Sequence, residues 1–205
     1  MVRKREFNTE EALDAAMHVF WLKGFEATSL TDLTTAMGIQ RPSLYAAFGD
    51  KMELFEHVLR RYTNSHAAQI RSMLGHGESV REAFRAVFDW ITSGKKKVNA
   101  SHGCFCINTM VEMAPHDPKF AVLTREHQMY LAVIFRETLE KGQQNGELPE
   151  ELNAGLVAQS LVVSMIGLTV LMKAAPDRSF IEQSIEATLS VLNNSDHRNE
   201  PLILK

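Results

Sequence analysis

Three groups of side chains have the types and spacings to do chemistry. The first lies between Ser29 and Phe48, where two short helical stretches flank a turn at Gly38. Short helix, glycine turn, short helix is the grammar of a DNA-binding helix-turn-helix. On the second stretch Leu44 and Phe48 share one face, so Pro42 and Ala46, flanked by Ser43 and Tyr45, face the other way, with Gln40 and Arg41 in the first turn. That outward face is small and nearly uncharged, which lets a helix backbone sit deep in a major groove. The second group is His102-Gly103-Cys104-Phe105-Cys106. On a helix His102 and Cys106 share a face while Cys104 points away, leaving two metal ligands where four are wanted, so no metal is expected. A thiol in a first helical turn has its pKa lowered by free amides, which makes Cys104 and its neighbour Cys106 candidates for a redox switch, against the simpler reading of inert buried thiols. The third is His127, in a stripe with Phe120, Leu123, Leu131 and Ile134. There it is either a satisfied core histidine or a group that orients a polar ligand in an apolar cavity.

The elements that must position these groups are helices. Apolar residues recur at helical spacing almost throughout, and no stretch alternates as a strand would. The spacing predicts an all-α fold of nine helices. Asn8 and Glu11 open the first, which ends near Lys23 before Gly24. The second starts at Thr28 or Ser29 and stops at Gly38. Pro42 is tolerated only in a first turn, so the third runs from Gln40 or Arg41 to about Phe48. Asp50 caps a fourth reaching about Met73, and Ser79 opens a fifth that carries Phe84, Phe88 and Ile91 on one side. The sixth covers Ser101 to Ala114, the seventh Asp117 or Pro118 to about Gln144, the eighth Pro149 to Ala175 and the ninth Asp177 to Leu192. Three segments follow: residues 1–50 as a helix-turn-helix domain, 51–194 as a second helical domain, and 195–205 as a loose tail.

The spaced set Gly24-Phe25, Thr28-Ser29, Met37-Gly38-Ile39, Arg41 to Tyr45, Phe48 and Lys51 resembles the TetR family of transcriptional regulators. The resemblance covers about residues 8–60, and nine helices over this length agree with it. It implies a double-stranded DNA operator as partner. Arg41 and Pro42 match positions that touch base edges; a guanidinium bonds guanine O6 and N7, and a proline ring packs on a thymine methyl. Ser43, Tyr45 and Lys51 match phosphate contacts, which set register without reading sequence. Ser29 and Thr31, opening the second helix, can also meet the DNA backbone, and Arg3, Lys4 and Arg5 either follow it or are a solvated tail. Two departures are Gln40, where a capping Ser or Thr is common, and Ala46, where His is common.

One short reading helix makes too few contacts for a genomic address, so a homodimer is expected. Ser160, Ser164 and Gly167 form a small-residue line on the eighth helix, beside Leu161, Val163 and Leu168, and this line is the expected dimer face. The resemblance also implies a pocket for an unknown small-molecule inducer. Its candidate lining is Phe84, Phe88, Phe105, Met110, Met113, Phe120, His127, Tyr130, Ile134 and Met165. The mechanism so implied is a ligand-responsive repressor released when inducer binding shifts the spacing of the two reading helices. The alternatives are thiol-based redox sensing through Cys104, or a helical interaction module that does not bind DNA.

The remaining composition narrows the field. The chain has 205 residues, 22 Lys and Arg, 25 Asp and Glu, and a formal charge of -3. Residues 1–72 hold nine of each sign, so the DNA-reading part is neutral and bulk charge does not announce a nucleic-acid partner. No phosphate-binding glycine loop, metal-ligand series or G-x-S-x-G elbow occurs, so no enzyme and no cofactor are expected. Two cysteines make no disulfide framework, and the charged start does not read as a signal peptide, which points to the cytoplasm. The stretch Leu156 to Ala175 is near the length of a membrane span, but Gln159, Ser160, Ser164, Gly167, Thr169 and Lys173 interrupt it, so it is read as a buried helix with no membrane partner. Lys95 to Lys97 read as a solvated connector.

Overall fold

Among the described residues, all the α-helices except α6 begin where the sequence offers a side chain to satisfy free amides or a proline that needs none. The computed structural model describes residues 7–93 and 103–193. Arg3 to Arg5, Lys95 to Lys97, His102 and the tail 195–205 lie outside the described residues. Within them run α1 (Thr9–Lys23), α2 (Leu30–Met37), α3 (Arg41–Phe48), α4 (Lys51–Leu74), α5 (Val80–Thr92), α6 (Phe105–Glu112), α7 (Pro118–Gln144), α8 (Ala154–Leu171) and α9 (Arg178–Leu189), with no strand among the described residues. Asn8, Ser29, Ser79, Asn153 and Asp177 each accept a backbone N–H through the side chain. Asp50 and Glu53 cap α4 reciprocally, at 2.8 and 2.9 Å.

Two helix starts differ from expectation. The eighth helix begins at Ala154 instead of Pro149. The amide of Gln143 donates to the carbonyls of Pro149, Glu150 and Leu152 at 2.9, 3.1 and 2.9 Å, which holds that stretch as a turn until Asn153 caps Leu156. The sixth begins at Phe105, so Cys104 is its N-cap in extended conformation and does not lie in the first turn. Gly103 has a φ of 69°, and its carbonyl accepts from the Trp21 indole at 3.1 Å, so the chain enters α6 later than its polar composition suggested.

The chain divides into two compact units. The first comprises residues 1–67 and 102–127, so the helix-turn-helix is part of a body that also contains most of α4, all of α6 and the start of α7. Its centre is Phe55, fully buried on α4, with ring contacts to Phe20 at 4.8 Å, Phe105 at 5.4 Å and Phe120 at 5.3 Å. Tilted and edge-on aromatic pairs of this kind contribute about 1 kcal/mol each beyond their burial. Arg61 on α4 reaches Asp14 at 2.8 Å and also pairs with Glu10, fixing α4 against α1.

The second unit comprises residues 68–101 and 128–205. In it α5 packs against α8 and α9. Phe84 meets Phe135 edge-on at 5.0 Å, and Arg81 pairs with Glu186 at 2.6 Å. Ala154–Ala174, with a mean hydropathy of 2.0, is long and apolar enough to cross a membrane. It is not buried all round, as the sequence suggested. Val157, Ala158, Leu161, Val162, Met165 and Leu168 face the core, while Leu156, Val163, Val170 and Leu171 are exposed. A helix with one apolar face inside and another outside is half of an unfinished packing problem.

Candidate nucleic-acid interface

The α2–turn–α3 hairpin is built by local chemistry. Ser29 and Asp32 form a reciprocal capping box: the Ser29 hydroxyl accepts from the Asp32 amide at 3.1 Å, and the Asp32 carboxylate accepts from the Ser29 amide at 2.9 Å. Lys23 reaches the same carboxylate at 2.7 Å, and this bond, with those from Ser29, holds Asp32 well below the usual carboxylate range. Gly38 closes α2 at φ 65°, a left-handed position that suits glycine. Three residues later α3 begins at Arg41 with Pro42 in its first turn. Gln40 occupies the N-cap without a side-chain cap bond, so the departure seen in the sequence does leave this end uncapped.

Leu44 and Phe48 anchor α3 in the core at 0% and 5% exposure. Around the rest of the helix Arg41, Pro42, Ser43, Tyr45 and Ala46 are exposed, as is Gln40 before it. The face presented to solvent is therefore the small, weakly charged one. Ser29 and Thr31 are exposed at the start of α2, and Lys51 is half-buried at the start of α4, its ammonium 4.2 Å from the centre of the Phe25 ring. A cation–π contact of this kind orients the ammonium without neutralising it. One further contact joins residues whose spacing does not announce it. Arg41 donates through Nη2 to the Thr31 hydroxyl at 3.0 Å, across the whole turn.

Other candidate residues are sorted by helical phase and burial. Tyr130 was expected to line a pocket, but it is 49% exposed. On α7 the inward positions include 127, 131, 134 and 135, and residue 130 falls outside them, about 40° from the nearest. Met110 is half-buried, and the remaining candidates are buried. Phe105, Met113, Phe120 and His127 lie in the first unit, and Phe84, Phe88, Ile134 and Met165 in the second. Of the expected dimer residues, Ser160 and Gly167 are exposed and Ser164 is half-buried, whereas Leu161 and Leu168 are 1% and 4% exposed. Those two leucines face the protein's own core. Val163, named with them from the sequence, is exposed, and Leu156, Val170 and Leu171 are exposed beside it.

His127 sits in a chain of polar contacts through the first unit. Its Nε2 is 3.1 Å from Nδ1 of His66, the His66 ring stacks on Tyr62 at 5.4 Å, and the Tyr62 hydroxyl donates to Cys104 Sγ at 3.3 Å. Burial lowers His127 to about 4 and raises Tyr62 well above its usual range. Burial also pushes the Cys106 thiol well up, which removes the thiolate that a redox switch at Cys106 requires. Tyr62 and His66 are one helical turn apart, a spacing legible in hindsight, but their partners are distant in sequence.

Comparison with known proteins accords with this arrangement. Residues 12–58 match the family model described as bacterial regulatory proteins, tetR family, and residues 78–188 match that of the tetracyclin repressor-like C-terminal domain. The HTH-type transcriptional regulator YezE of Bacillus subtilis is 32% identical over 194 residues, covering 94% of this chain and 100% of its own length. The HTH-type transcriptional repressor ComR of Escherichia coli is 32% identical, covering 82% of this chain and 80% of its own. A cysteine mutant of the TetR family transcriptional regulator CifR, complexed with 26 bp double-strand operator DNA, superposes with a TM-score of 0.81 at 29% identity, over 92% of this chain and 98% of that one. A helix-turn-helix built by the same residues that carried the resemblance, followed by a matching C-terminal domain, identifies the chain as a member of the TetR family of DNA-binding transcriptional regulators.

Proposed function

We propose that this protein is a cytoplasmic repressor that binds a palindromic operator as a homodimer and is released by a small-molecule inducer. The observation that carries the reading is the exposed face of α3. Leu44 and Phe48 are committed to the core, so Arg41, Pro42, Ser43 and Tyr45 are left to meet a groove. Arg41 and Pro42 read bases; Ser43, Tyr45, Lys51 and Ser29, the N-cap of α2, hold phosphates. Several relatives, ComR among them, are named as repressors.

The dimer is supported by the exposed face of α8. Leu156, Val163, Val170 and Leu171 flank Ser160, Ser164 and Gly167, and a Cβ placed on Gly167 would meet no atom within 4 Å. A second copy covers this face and sets two reading helices one DNA turn apart, about 34–36 Å. The inducer is a molecule taken up by the helices after α4, where buried aromatic and methionine side chains predominate.

Selection of bound duplexes from a random pool tests the reading. A two-fold symmetric consensus with half-sites one turn apart is expected, and Arg41→Ala is expected to lose roughly 10- to 100-fold discrimination between that operator and random DNA. Equal loss on both would overturn the base-reading role.

A further inference from the structure

Thr31 and Arg41 stand ten residues apart on different helices, yet the guanidinium Nη2 donates to the Thr31 hydroxyl at 3.0 Å. We propose that Thr31 is a specificity-determining residue of the operator site: its hydroxyl positions Arg41 so that the arginine reads one guanine in each half-site. This rests on the reading of Arg41 as a base-contacting residue.

Two features of the first unit, and the chemistry of the two side chains, support it. Thr31 lies between the two members of the Ser29–Asp32 capping box, and Asp32 is further held by Lys23 on α1, so the threonine occupies a turn pinned from both sides. The acid nearest to Thr31 in sequence, Asp32, is thus committed to Lys23 and Ser29. A carboxylate on Arg41 would cancel the charge the groove attracts, whereas a neutral hydroxyl orients the guanidinium and leaves its charge intact. Arginine also has five N–H donors in a rigid fork, so one bond to Thr31 leaves enough for the paired bonds to guanine O6 and N7. An arginine held before DNA arrives loses less side-chain freedom on binding, and the fork is turned toward one base pair instead of sampling several.

The purified full-length protein is assayed on its selected operator, on that operator with the guanine of each half-site replaced by adenine, and on random duplex. Thr31→Val is expected to reduce the preference for guanine about 5-fold and Thr31→Ser to restore it, while binding to random duplex stays unchanged. In the Arg41→Ala background Thr31→Val is expected to cause no further loss of preference, because the threonine acts through the arginine. If Thr31→Val weakens operator and random duplex alike, or adds its full effect to Arg41→Ala, Thr31 is a direct phosphate contact and the inference falls. If Arg41→Ala keeps the guanine preference, the base-reading role itself falls. Circular dichroism of Thr31→Val guards against loss of α2, and Thr31→Ser, which keeps both helix start and hydroxyl, decides the matter if the valine variant unfolds.

Discussion

His66 Nδ1 and His127 Nε2 lie 3.1 Å apart, the two rings buried where α4 meets α7. Two imidazoles at this distance share one hydrogen-bonding proton comfortably and resist a second charge, since burial disfavours the charged form and Tyr62, stacked on His66, is itself held neutral by burial.

This pair makes stability depend on pH. His127 titrates near 6.5 in the unfolded chain and at about 4 when folded. Between those values the unfolded state binds a proton that the folded state refuses, so stability present above pH 6.5 is lost as the pH falls toward 4. The loss is on the order of 2–3 kcal/mol. Asp32, Glu56 and Glu186, held low by cationic partners, add losses at more acid pH. Urea unfolding at pH 7 and pH 5 checks this, with His127→Gln expected to flatten the difference.

Gly24 ends α1 at φ 78°, and a Cβ there would lie 2.9 Å from both carboxylate oxygens of Glu112, which accepts from the Glu26 amide at 3.1 Å. The carboxylate can swing aside, so the cost of Gly24→Ala comes from the left-handed backbone and the lost bond to Glu26. Thermal unfolding is expected to show a loss of about 1–2 kcal/mol. Glu112→Gln, which keeps an acceptor, is expected to lose less than half of that.

Val163 is 68% exposed on the face of α8 proposed to meet a second copy. Val163→Lys places a charge in that interface and removes nothing from the protein's own core. Sedimentation at micromolar concentration is expected to show a helical monomer with little operator binding. An unchanged dimer would move the interface to another surface.

In the proposed operator complex Lys51, oriented on the Phe25 ring, contributes charge without base contact. Lys51→Ala is expected to weaken operator and random duplex by the same factor and to reduce the slope of log K against log salt by about one. A selective loss on operator would instead make it a reader of sequence.

Local rules settled much of this protein. Asn8, Ser29, Gly38, Pro42, Ser79, Pro118 and Asp177 each act within one turn of their own position, so the helix ends they define were legible in order. The helix-turn-helix was legible for the same reason, since its turn residues, its proline and its two core anchors lie within twenty residues. Where a distant group intervenes, the reading failed: Gln143 delays α8, and Trp21 with Gly103 delays α6. Periodicity also shows that a helix has an apolar face without showing what covers it. Leu161 and Leu168 therefore fell inward, Val163 and Tyr130 fell outward, and none could be assigned from α8 or α7 alone. Thr31 with Arg41 and His66 with His127 belong to the same class. A hydrogen bond depends on position to a fraction of an ångström, and only the packed chain fixes positions that finely for residues far apart in sequence.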